Sequence, residues 1–579
     1  MVYCYKYQVG LFSINSKSSK TLFFIKRTKP KKDSITFLKE KTIRKSNSNE
    51  MNTIRVKIKL NQNRRLQILI LFPLINGLLF ISCQNKNPIT SYNVVQYENY
   101  CGSCHLLPDP IDIPKDIWEN SVLPEMAARM GYLYGGYNPY KNKSPEEQFH
   151  IELSKKYPIE PIIDSVTWLG IHDYIISLAP NTIPIENNRN DKNKDLRQFS
   201  VKNVDLPKTA VPIITGLQFD TNMNSFNIGD AKGNLYQWST ANKKIISEKF
   251  SSAITSFHQK ENDIYVTEIG LLNPSEIPKG FITKTSSGVT DTIVKHLHRP
   301  VFTEILDLNN DGVDEVIICE FGNLTGQLTF LEKRGSRYFK NLIHQQAGAI
   351  KFEIVDMNQD GKKDIIALFS QGDEGIFIFY QKEDLTFRGE QIIALAPQYG
   401  SSWFELIDYN TDGHLDIVLT NGDNADYSTF LKPYHGIRLF LNNGSNVFDQ
   451  KWFYPIYGAT RVLADDYDLD GDIDFAVSAL FNDTGNSDDA GFIYLESLNS
   501  KSLEFQSYTS KGSFNNGWLT MAKGDYDADG DIDIMIGGFN VNGLRKKSSM
   551  FKSKEENPIK ILILENEENT IKNLNIISD

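Results

Sequence analysis

The chain has 579 residues, 40% of them hydrophobic, which is enough for several domains with buried cores. Its formal net charge of −10 argues against a nucleic-acid partner, because nucleic-acid binders usually carry a basic patch. Only five cysteines are present, so a disulfide-stapled framework is excluded as well.

Basic charge is concentrated at the N-terminus. Residues 1–83 contain 17 Lys and Arg against three Asp and Glu, which leaves −24 on the rest of the chain. Residues 1–50 show no hydrophobic periodicity. We predict that they are an over-extended N-terminus and that Met51 is the working start.

A signal peptide is predicted over residues 51–83. Five Lys and Arg precede a broken apolar run from Leu66 to Ile81, which is shorter than a typical membrane span. The run ends in FISC, which resembles a bacterial lipobox, although Phe80 replaces the usual leucine. The resemblance implies cleavage before Cys83 and lipidation of that cysteine, with an ordinary signal peptide as the alternative. The body of the chain is then extracytoplasmic, on a periplasm-facing or surface-exposed lipoprotein of a bacterial envelope.

The stretch CGSCH, residues 101–105, predicts a covalently attached haem c in a helical domain over 84–180. Cys101 and Cys104 have the spacing of the two thioether bonds, and His105 follows where the iron ligand is needed. A zinc site would need a second cysteine pair, and a thioredoxin-like pair would need a βαβ setting. Residues 91–100 are interpreted as a helix that runs into the motif, and apolar residues at helical spacing over 164–180 predict a second helix. The pair resembles the packed terminal helices of a cytochrome c.

The sixth iron ligand is sought in KDIWENSVLPEMAARMGY, residues 115–132. This segment resembles the W…V-L-P-x-M stretch of bacterial cytochrome c domains, and the resemblance implies Met126. Met130, four residues on and on nearly the same helix face, is the alternative. The sequence also leaves His150, His172 and an open coordination site as further alternatives.

Residues 181–200 are polar and are predicted to be a flexible linker, followed by a domain over 201–579. That domain holds five copies of one acidic pattern, whose starts lie 49, 52, 58 and 59 residues apart. Each copy has a carboxylate or amide at positions 1, 3 and 5, a glycine at position 6 and a carboxylate at position 9. The residues at positions 1, 3, 5 and 9 are Asp307, Asn309, Asp311 and Glu315; Asp356, Asn358, Asp360 and Asp364; Asp408, Asn410, Asp412 and Asp416; Asp466, Asp468, Asp470 and Asp474; and Asp525, Asp527, Asp529 and Asp533.

The acidic pattern predicts calcium sites, up to five in number. Ca²⁺ takes six to eight hard oxygen ligands, and alternate side chains of a tight loop can converge on one point. An EF-hand would need a glutamate at position 12, where this chain has only apolar residues. The alternative is a plain Asx-rich turn between strands. The first copy is the weakest, because it ends in Glu315 instead of aspartate.

A unit of this length with several short strands is typical of a β-propeller. The acidic copies resemble the FG-GAP/VCBS repeats of integrin-like propellers, most clearly over 300–540. Segments 213–238 and 253–270 are interpreted as blades without the acidic loop, which gives seven blades, with eight as the alternative. IKILILE, residues 559–565, is expected to close the ring against an early strand. The predicted fold is thus a small all-α cytochrome c domain followed by an all-β propeller.

Together these features predict a lipid-anchored electron-transfer protein, with haem c carried on a calcium-binding propeller platform. Its partner would be a redox protein or a small electron donor or acceptor, and it would contact the membrane only through its lipid. One alternative is a calcium-dependent adhesion propeller in which Trp403, Phe404 or Trp518 stacks on a glycan, although these rings are better interpreted as blade core. The other is a haem-coupled propeller oxidoreductase, which lacks support because the sequence has no G-x-S-x-G, no G-x-G-x-x-G and no run of the tryptophan-docking repeats of quinoprotein dehydrogenases.

Overall fold

The computed structural model describes residues 12–16, 19–23, 91–184, 194–207, 213–239, 246–423, 430–481, 491–510, 514, 517–539 and 561–568. The predicted signal peptide, its Cys83 and the middle of the predicted linker lie outside these residues. In the N-terminal segment, β1 (Phe12–Ser16) and β2 (Ser19–Phe23) form an antiparallel hairpin. None of the described helices is long and apolar enough to cross a bilayer.

Residues 91–184 form a helical unit. Its helices are α1 (Ser91–Cys101), α2 (Leu123–Arg129), α3 (Pro145–Ser154) and α4 (Ser165–Leu178). A 3₁₀ turn at Pro110–Asp112, a short helical turn at Lys115–Ile117 and a π-helical turn at Trp118–Val122 lead into α2. The Asp164 side chain caps α4 by accepting hydrogen bonds from the backbone N–H groups of Val166 and Thr167.

Helices α1 and α4 pack directly against each other. A Cβ atom on Gly170 of α4 would lie 2.9 Å from Oδ1 of Asn93 of α1, so glycine permits the close approach. The Tyr97 and Tyr174 rings meet at 5.4 Å between centroids. Around this contact the fully buried Trp118 and Trp168 form the centre of the helical core. Both helices thus lie where the sequence predicted them.

The rest of the described chain is a seven-bladed β-propeller, as predicted. Two blades lack the acidic loop: β5 (Ile214–Asp220), β6 (Ser225–Asp230), β7 (Asn234–Trp238) and β8 (Ile246–Lys249); and β9 (Ile254–Lys260), β10 (Asp263–Glu268), β11 (Gly280–Ser286) and β12 (Val289–Leu297). They cover the two segments that the sequence suggested as blades without a metal loop.

Five further blades each carry one acidic loop between their first and second strands. They are β13 (Pro300–Leu306), β14 (Glu315–Glu320), β15 (Gln327–Arg334) and β16 (Arg337–His344); β17 (Ala349–Val355), β18 (Asp364–Phe369), β19 (Gly375–Gln381) and β20 (Phe387–Ala394), with a 3₁₀ turn at Glu383–Leu385; β21 (Ser401–Ile407), β22 (Asp416–Asn421), β23 (Gly436–Asn442) and β24 (Phe448–Pro455); β25 (Ala459–Asp465), β26 (Asp474–Ala479), β27 (Phe492–Asn499) and β28 (Glu504–Thr509); and β29 (Trp518–Gly524), β30 (Asp533–Gly538) and β31 (Ile561–Asn566). Every residue of the second strand in these blades is buried, because neighbouring blades cover both faces.

The ring closes with strands from both ends of the propeller sequence. β4 (Phe199–Asn203) pairs antiparallel with β31 and completes the last blade, as the terminal apolar run predicted. β3 (Lys194–Asp195) pairs parallel with the outer strand β28 of the preceding blade. The propeller sheets therefore begin before residue 201, within the segment that its polar composition suggested was a linker.

The closing strand should be essential for stability. Leu564 of β31 is fully buried among aromatic and aliphatic side chains of the last two blades. We expect Leu564→Ala to destabilise the propeller by about 2–5 kcal/mol, because it removes buried contacts and leaves a cavity. Urea unfolding would measure the change, and Leu498→Ala, at a 57% exposed leucine, is the matched control. If both substitutions lowered the free energy of unfolding by the same small amount, the role of β31 in closing the ring would be contradicted.

The helical unit contacts the propeller through Asp112. The Gln398 side-chain amide donates to its carboxylate at 2.8 Å, and the Tyr434 hydroxyl donates to its backbone carbonyl at 3.1 Å. Phe430 packs against the helical core, and Lys279 pairs with Glu146 at 2.8 Å. The sequence suggested two domains joined by a flexible linker, and these contacts show that the helical unit is docked on the propeller.

Behind this contact runs a buried hydrogen-bond network. Ser401 donates its N–H and its hydroxyl to one carboxylate oxygen of Glu374, at 2.8 and 2.6 Å. Asn421 donates to the Ser401 hydroxyl, and Arg438 donates to Asn421 and to the Tyr434 carbonyl. The other Glu374 oxygen is buried and has no partner among the described residues. Burial raises the pKa of Glu374 to about 8, which its bonds from Ser401 only partly oppose.

Glu374 should make stability fall as pH rises. An unfolded glutamate titrates near 4.3, so between about pH 4.3 and 8 the folded state binds more protons than the unfolded state. Folding stability therefore decreases across this window. We expect Glu374→Gln to lose less stability between pH 5 and pH 8 than the unaltered protein, as measured by urea unfolding. Glu390→Gln, at a half-exposed site on β20, should behave as the unaltered protein does.

Candidate functional sites

The five acidic loops share one backbone geometry. The glycine at position 6 has φ between 83° and 97° in all five, and the residue at position 4 also has positive φ. At Gly312, Gly361, Gly413 and Gly471 a Cβ atom would meet nothing within 4 Å, so the positive φ and not a steric limit favours glycine there. The tight left-handed turn predicted from the sequence is thus present in every copy.

Side chains at positions 1, 3 and 5 fold inward over the turn. In the fourth copy, Asp466 accepts hydrogen bonds from the N–H groups of Asp470 and Gly471 at 3.0 Å. Asp468 accepts from the Asp470 N–H at 3.2 Å, and Asp470 accepts from the Asp472 N–H at 2.9 Å. Most of these bonds recur in the other copies. The carboxylates are therefore held close together by the backbone before any cation binds.

Two loops bring three carboxylates together. One carboxylate oxygen from each of Asp466, Asp468 and Asp470 lies within 4.8 Å of the others, and Asp525, Asp527 and Asp529 do the same. The other three loops have asparagine at position 3, so they offer an amide oxygen in place of the third carboxylate. Carboxylate and amide oxygens are the donors that Ca²⁺ prefers, so the residues at positions 1, 3 and 5 fit the predicted ion.

The acid at position 9 has a different environment. It opens the second strand of its blade and is at most 1% exposed in all five copies. In Asp533, one oxygen accepts from the Tyr526 N–H at 3.1 Å and the other from the Asn566 N–H at 2.9 Å. Asp364 and Asp416 bind backbone N–H groups in the same two places. This acid fixes the loop to the third strand of the blade, a role that the sequence pattern did not indicate.

The clustered acids resist ionisation in the absence of a cation. Burial, reinforced by repulsion from Asp470, raises the pKa of Asp468 to about 6. Burial, reinforced by Asp529, raises the pKa of Asp527 to about 6, and burial raises the pKa values of Asp474 and Asp533 to about 8. A divalent cation would favour the ionised forms, since opposite charge lowers a carboxyl pKa.

The CGSCH residues lie at the C-terminal end of α1. Cys101 is half-buried and Cys104 exposed, and neither forms a disulfide. Burial raises the pKa of the Cys101 thiol to about 12, so this thiol is protonated at neutral pH. Nδ1 of His105 lies 2.9 Å from the Leu106 carbonyl oxygen. A proton on Nδ1 would donate to that oxygen, leaving Nε2 with a lone pair and no partner in the described part of the chain.

The candidate axial ligands differ in their surroundings. Met126 and the 9% exposed Met130 both pack into the helical core that Cys101 contacts. His172 has both ring nitrogens engaged, with Tyr134 at 3.2 Å and Asp173 at 3.1 Å. His150 lies on α3, where its ring meets that of Phe149 edge-on at 5.6 Å between centroids. Two thiols, one imidazole and two thioethers are donor types that fit a haem c, and of the candidate ligands only the methionines share the helical core with Cys101.

The aromatic residues considered for glycan stacking are mostly inaccessible. Phe404 and Trp518 are 0% exposed, so their rings cannot meet a surface sugar. Trp403 is partly exposed, but its ring is covered by two cations: Arg461 Cζ lies 3.5 Å and Lys351 Nζ 4.4 Å from the ring centroid. The interpretation of these rings as interior residues is thus borne out for Phe404 and Trp518.

Comparison with known proteins supports the repeat. A family model described as an FG-GAP-like repeat matches residues 356–419, which begin with one acidic loop and extend past the next. No curated protein matches the chain significantly.

Three solved structures give alignments with low TM-scores. The N-terminal domain of Nup159 is 8% identical, with a TM-score of 0.38, over 64% of this chain and 96% of that one. Sqt1 of Saccharomyces cerevisiae is 8% identical, with a TM-score of 0.38, over 65% and 99%. The β-propeller domain of Cps50 (Swd1) from Myceliophteria thermophila is 9% identical, with a TM-score of 0.40, over 63% and 98%.

Proposed function

We propose that this chain is an extracytoplasmic electron-transfer protein whose helical unit carries haem c and whose propeller is a calcium-stabilised platform. The observation that carries the proposal is the end of α1, where two thiols outside any disulfide occur with a histidine whose Nε2 has no partner among the described residues. A bound haem would supply a one-electron Fe(III)/Fe(II) couple. Lipidation of Cys83 would anchor the protein to a bacterial envelope membrane.

The residues of the helical unit have separate tasks in this proposal. Cys101 and Cys104 would hold the porphyrin covalently, so the group stays bound through both oxidation states. The Leu106 carbonyl would orient the His105 ring through Nδ1 and so present Nε2 to the iron. Met126 would bind the iron as well, with Met130 as the alternative, and a thioether ligand would favour electron transfer over ligand chemistry.

The docked arrangement bears on how electrons would enter and leave. The contacts at Asp112, Phe430 and Glu146 hold the helical unit against the propeller. A partner that binds the propeller would therefore meet the helical unit in a defined orientation, which shortens the search for a productive complex. The partner is a redox protein or a small electron donor or acceptor.

Absorption spectra of the chain expressed from Met51 with haem c maturation would test the proposal. A c-type spectrum that persists after denaturation in alkaline pyridine, together with low-spin bands in the folded protein, is the expected result. Met126→Ala should abolish those low-spin bands and Met130→Ala should leave them, whereas the reverse would assign Met130. A protein without covalent haem would overturn the electron-transfer proposal.

A second candidate function rests on the propeller alone. A propeller with an FG-GAP-like repeat is consistent with a surface-binding or adhesion protein. In this case the haem would be secondary and the loops of one propeller face would bind a glycan or another surface ligand in the presence of Ca²⁺. Glycan pull-down with and without Ca²⁺ tests it, and binding that is lost with chelator would favour it.

A further inference from the structure

The innermost strands of the seven blades line a cavity of about 460 Å³ near the propeller axis. These strands are β5, β9, β13, β17, β21, β25 and β29. A cavity of this size lies within the range of roughly 300–1,000 Å³ that is usual for small-molecule sites. Neither the acidic loops nor the helical unit contributes to its lining.

The third residues of three adjacent innermost strands form one layer of the cavity wall, in which an indole ring lies between two cations. These residues are Lys351, Trp403 and Arg461. Lys351 is satisfied, since its Nζ donates to the Phe404 carbonyl at 2.7 Å and pairs with Glu353 at 2.6 Å. Arg461 is not. Its Nε donates to the Leu519 carbonyl at 3.2 Å, but its two Nη groups have no hydrogen-bond or ion-pair partner in the described chain.

The two unpaired Nη groups of Arg461 are costly without a ligand. The guanidinium is partly enclosed by the cavity wall, and burial lowers its pKa to about 9 while Glu405 only partly opposes this. Taking the donors of a charged group out of water without an acceptor is unfavourable. Its planar fork of donors, already oriented by Trp403 and by the Leu519 carbonyl, matches the two oxygens of a carboxylate.

An acidic layer lies two residues further along the strands, about 7 Å from the layer of Lys351 and Arg461. Glu353 in this layer is paired with Lys351, whereas the carboxyl of Glu304 has no hydrogen-bond partner within the described residues. His258 and Gln218 complete the layer on the neighbouring strands. The cavity therefore offers the unpaired Nη groups of one arginine and, one layer along the strands, one carboxyl group without a hydrogen-bond partner in the described chain.

We propose that the axial cavity binds a small hydroxy- or amino-carboxylate, with its carboxylate on the Nη groups of Arg461 and its hydroxyl or ammonium donor on Glu304. A neutral sugar would leave Arg461 unpaired, and a simple cation would be repelled by it. A carboxylate without a second donor would leave Glu304 unpaired. The site depends on neither haem nor Ca²⁺ ligation, so it stands apart from the proposed electron transfer.

Isothermal titration of the full chain with D-glucuronate and with L-glutamate would test the site and distinguish the two ligand types. Methyl β-D-glucoside is the neutral control. We expect one of the two carboxylates to bind with a Kd below about 1 mM, and Arg461→Met to weaken it by on the order of tenfold or more. Arg334→Met, at an exposed arginine at the end of β15, should leave binding unchanged.

Glu304→Gln keeps the size of the side chain and tests the second contact. It should weaken L-glutamate more than D-glucuronate, because an ammonium gains more from a carboxylate than a hydroxyl does. It also serves as the deciding variant if Arg461→Met fails to fold. Failure of both carboxylates to bind at about 10 mM, or binding that neither substitution alters, would overturn the proposal.

Discussion

Replacement of both Cys101 and Cys104 by serine is expected to abolish covalent haem retention. A serine hydroxyl cannot form the thioether bonds that would join the porphyrin to the chain. The haem would then be held only by its axial ligands and by packing, and acid–acetone extraction should remove it from the protein. The measurement is the haem absorbance that stays with the polypeptide after extraction, relative to the unaltered chain.

Cys319 provides the matched control for these substitutions. It is a free cysteine in the buried strand β14, 0% exposed and far in sequence from the motif. Cys319→Ala should retain covalent haem fully, even if the small cavity lowers propeller stability. Equal haem retention in the double variant and in Cys319→Ala would contradict the assignment of CGSCH.

The repeated elements were predictable because each copy carries its own local signal. Glycine at position 6 and the acids around it specify a turn, and the apolar run that follows specifies a buried strand. The blade number then followed from spacing. Of the two strands that close the ring, only β31 could be predicted, because its apolar run at 559–565 is evident in the sequence. Its partner β4 (Phe199–Asn203) begins within a polar segment.

Features that depend on several blades at once could not be predicted. Lys351, Trp403 and Arg461 lie in three different blades and meet only because each is the third residue of an innermost strand. Aligning the sequences of the blades with one another would have shown that these three residues occupy the same position. Docking of the helical unit through Asp112 depends on single side-chain contacts with Gln398 and Tyr434, which no local pattern encodes. The second role of the position 9 acids likewise depends on the register of the third strand.

Removal of Ca²⁺ is expected to lower the melting temperature of the propeller substantially. A ligand that binds only the folded state stabilises it by RT ln(1 + [L]/Kd), which is about 2.7 kcal/mol per site when the free ion is at 100 times Kd. Five loops in five blades would add such terms, so chelation should shift the melting temperature by many degrees. Differential scanning calorimetry in Ca²⁺ and in excess EGTA would measure the shift, and identical profiles would contradict calcium binding.

The same experiment should reveal a dependence on pH that Ca²⁺ removes. Without the ion, burial raises the pKa values of Asp474 and Asp533 to about 8, well above the unfolded value near 3.9. The folded state then binds more protons than the unfolded state across this window, so stability in EGTA should fall as pH rises from about 4 to 8. In saturating Ca²⁺ the loop carboxylates ionise at lower pH, so their share of the fall should disappear and the share from Glu374 should remain. Asp466→Asn together with Asp470→Asn should reduce the effect of Ca²⁺, whereas Asp449→Asn, at an exposed aspartate outside the loops, should not. The difference between these two variants separates ion binding in a specific loop from general screening of an acidic surface.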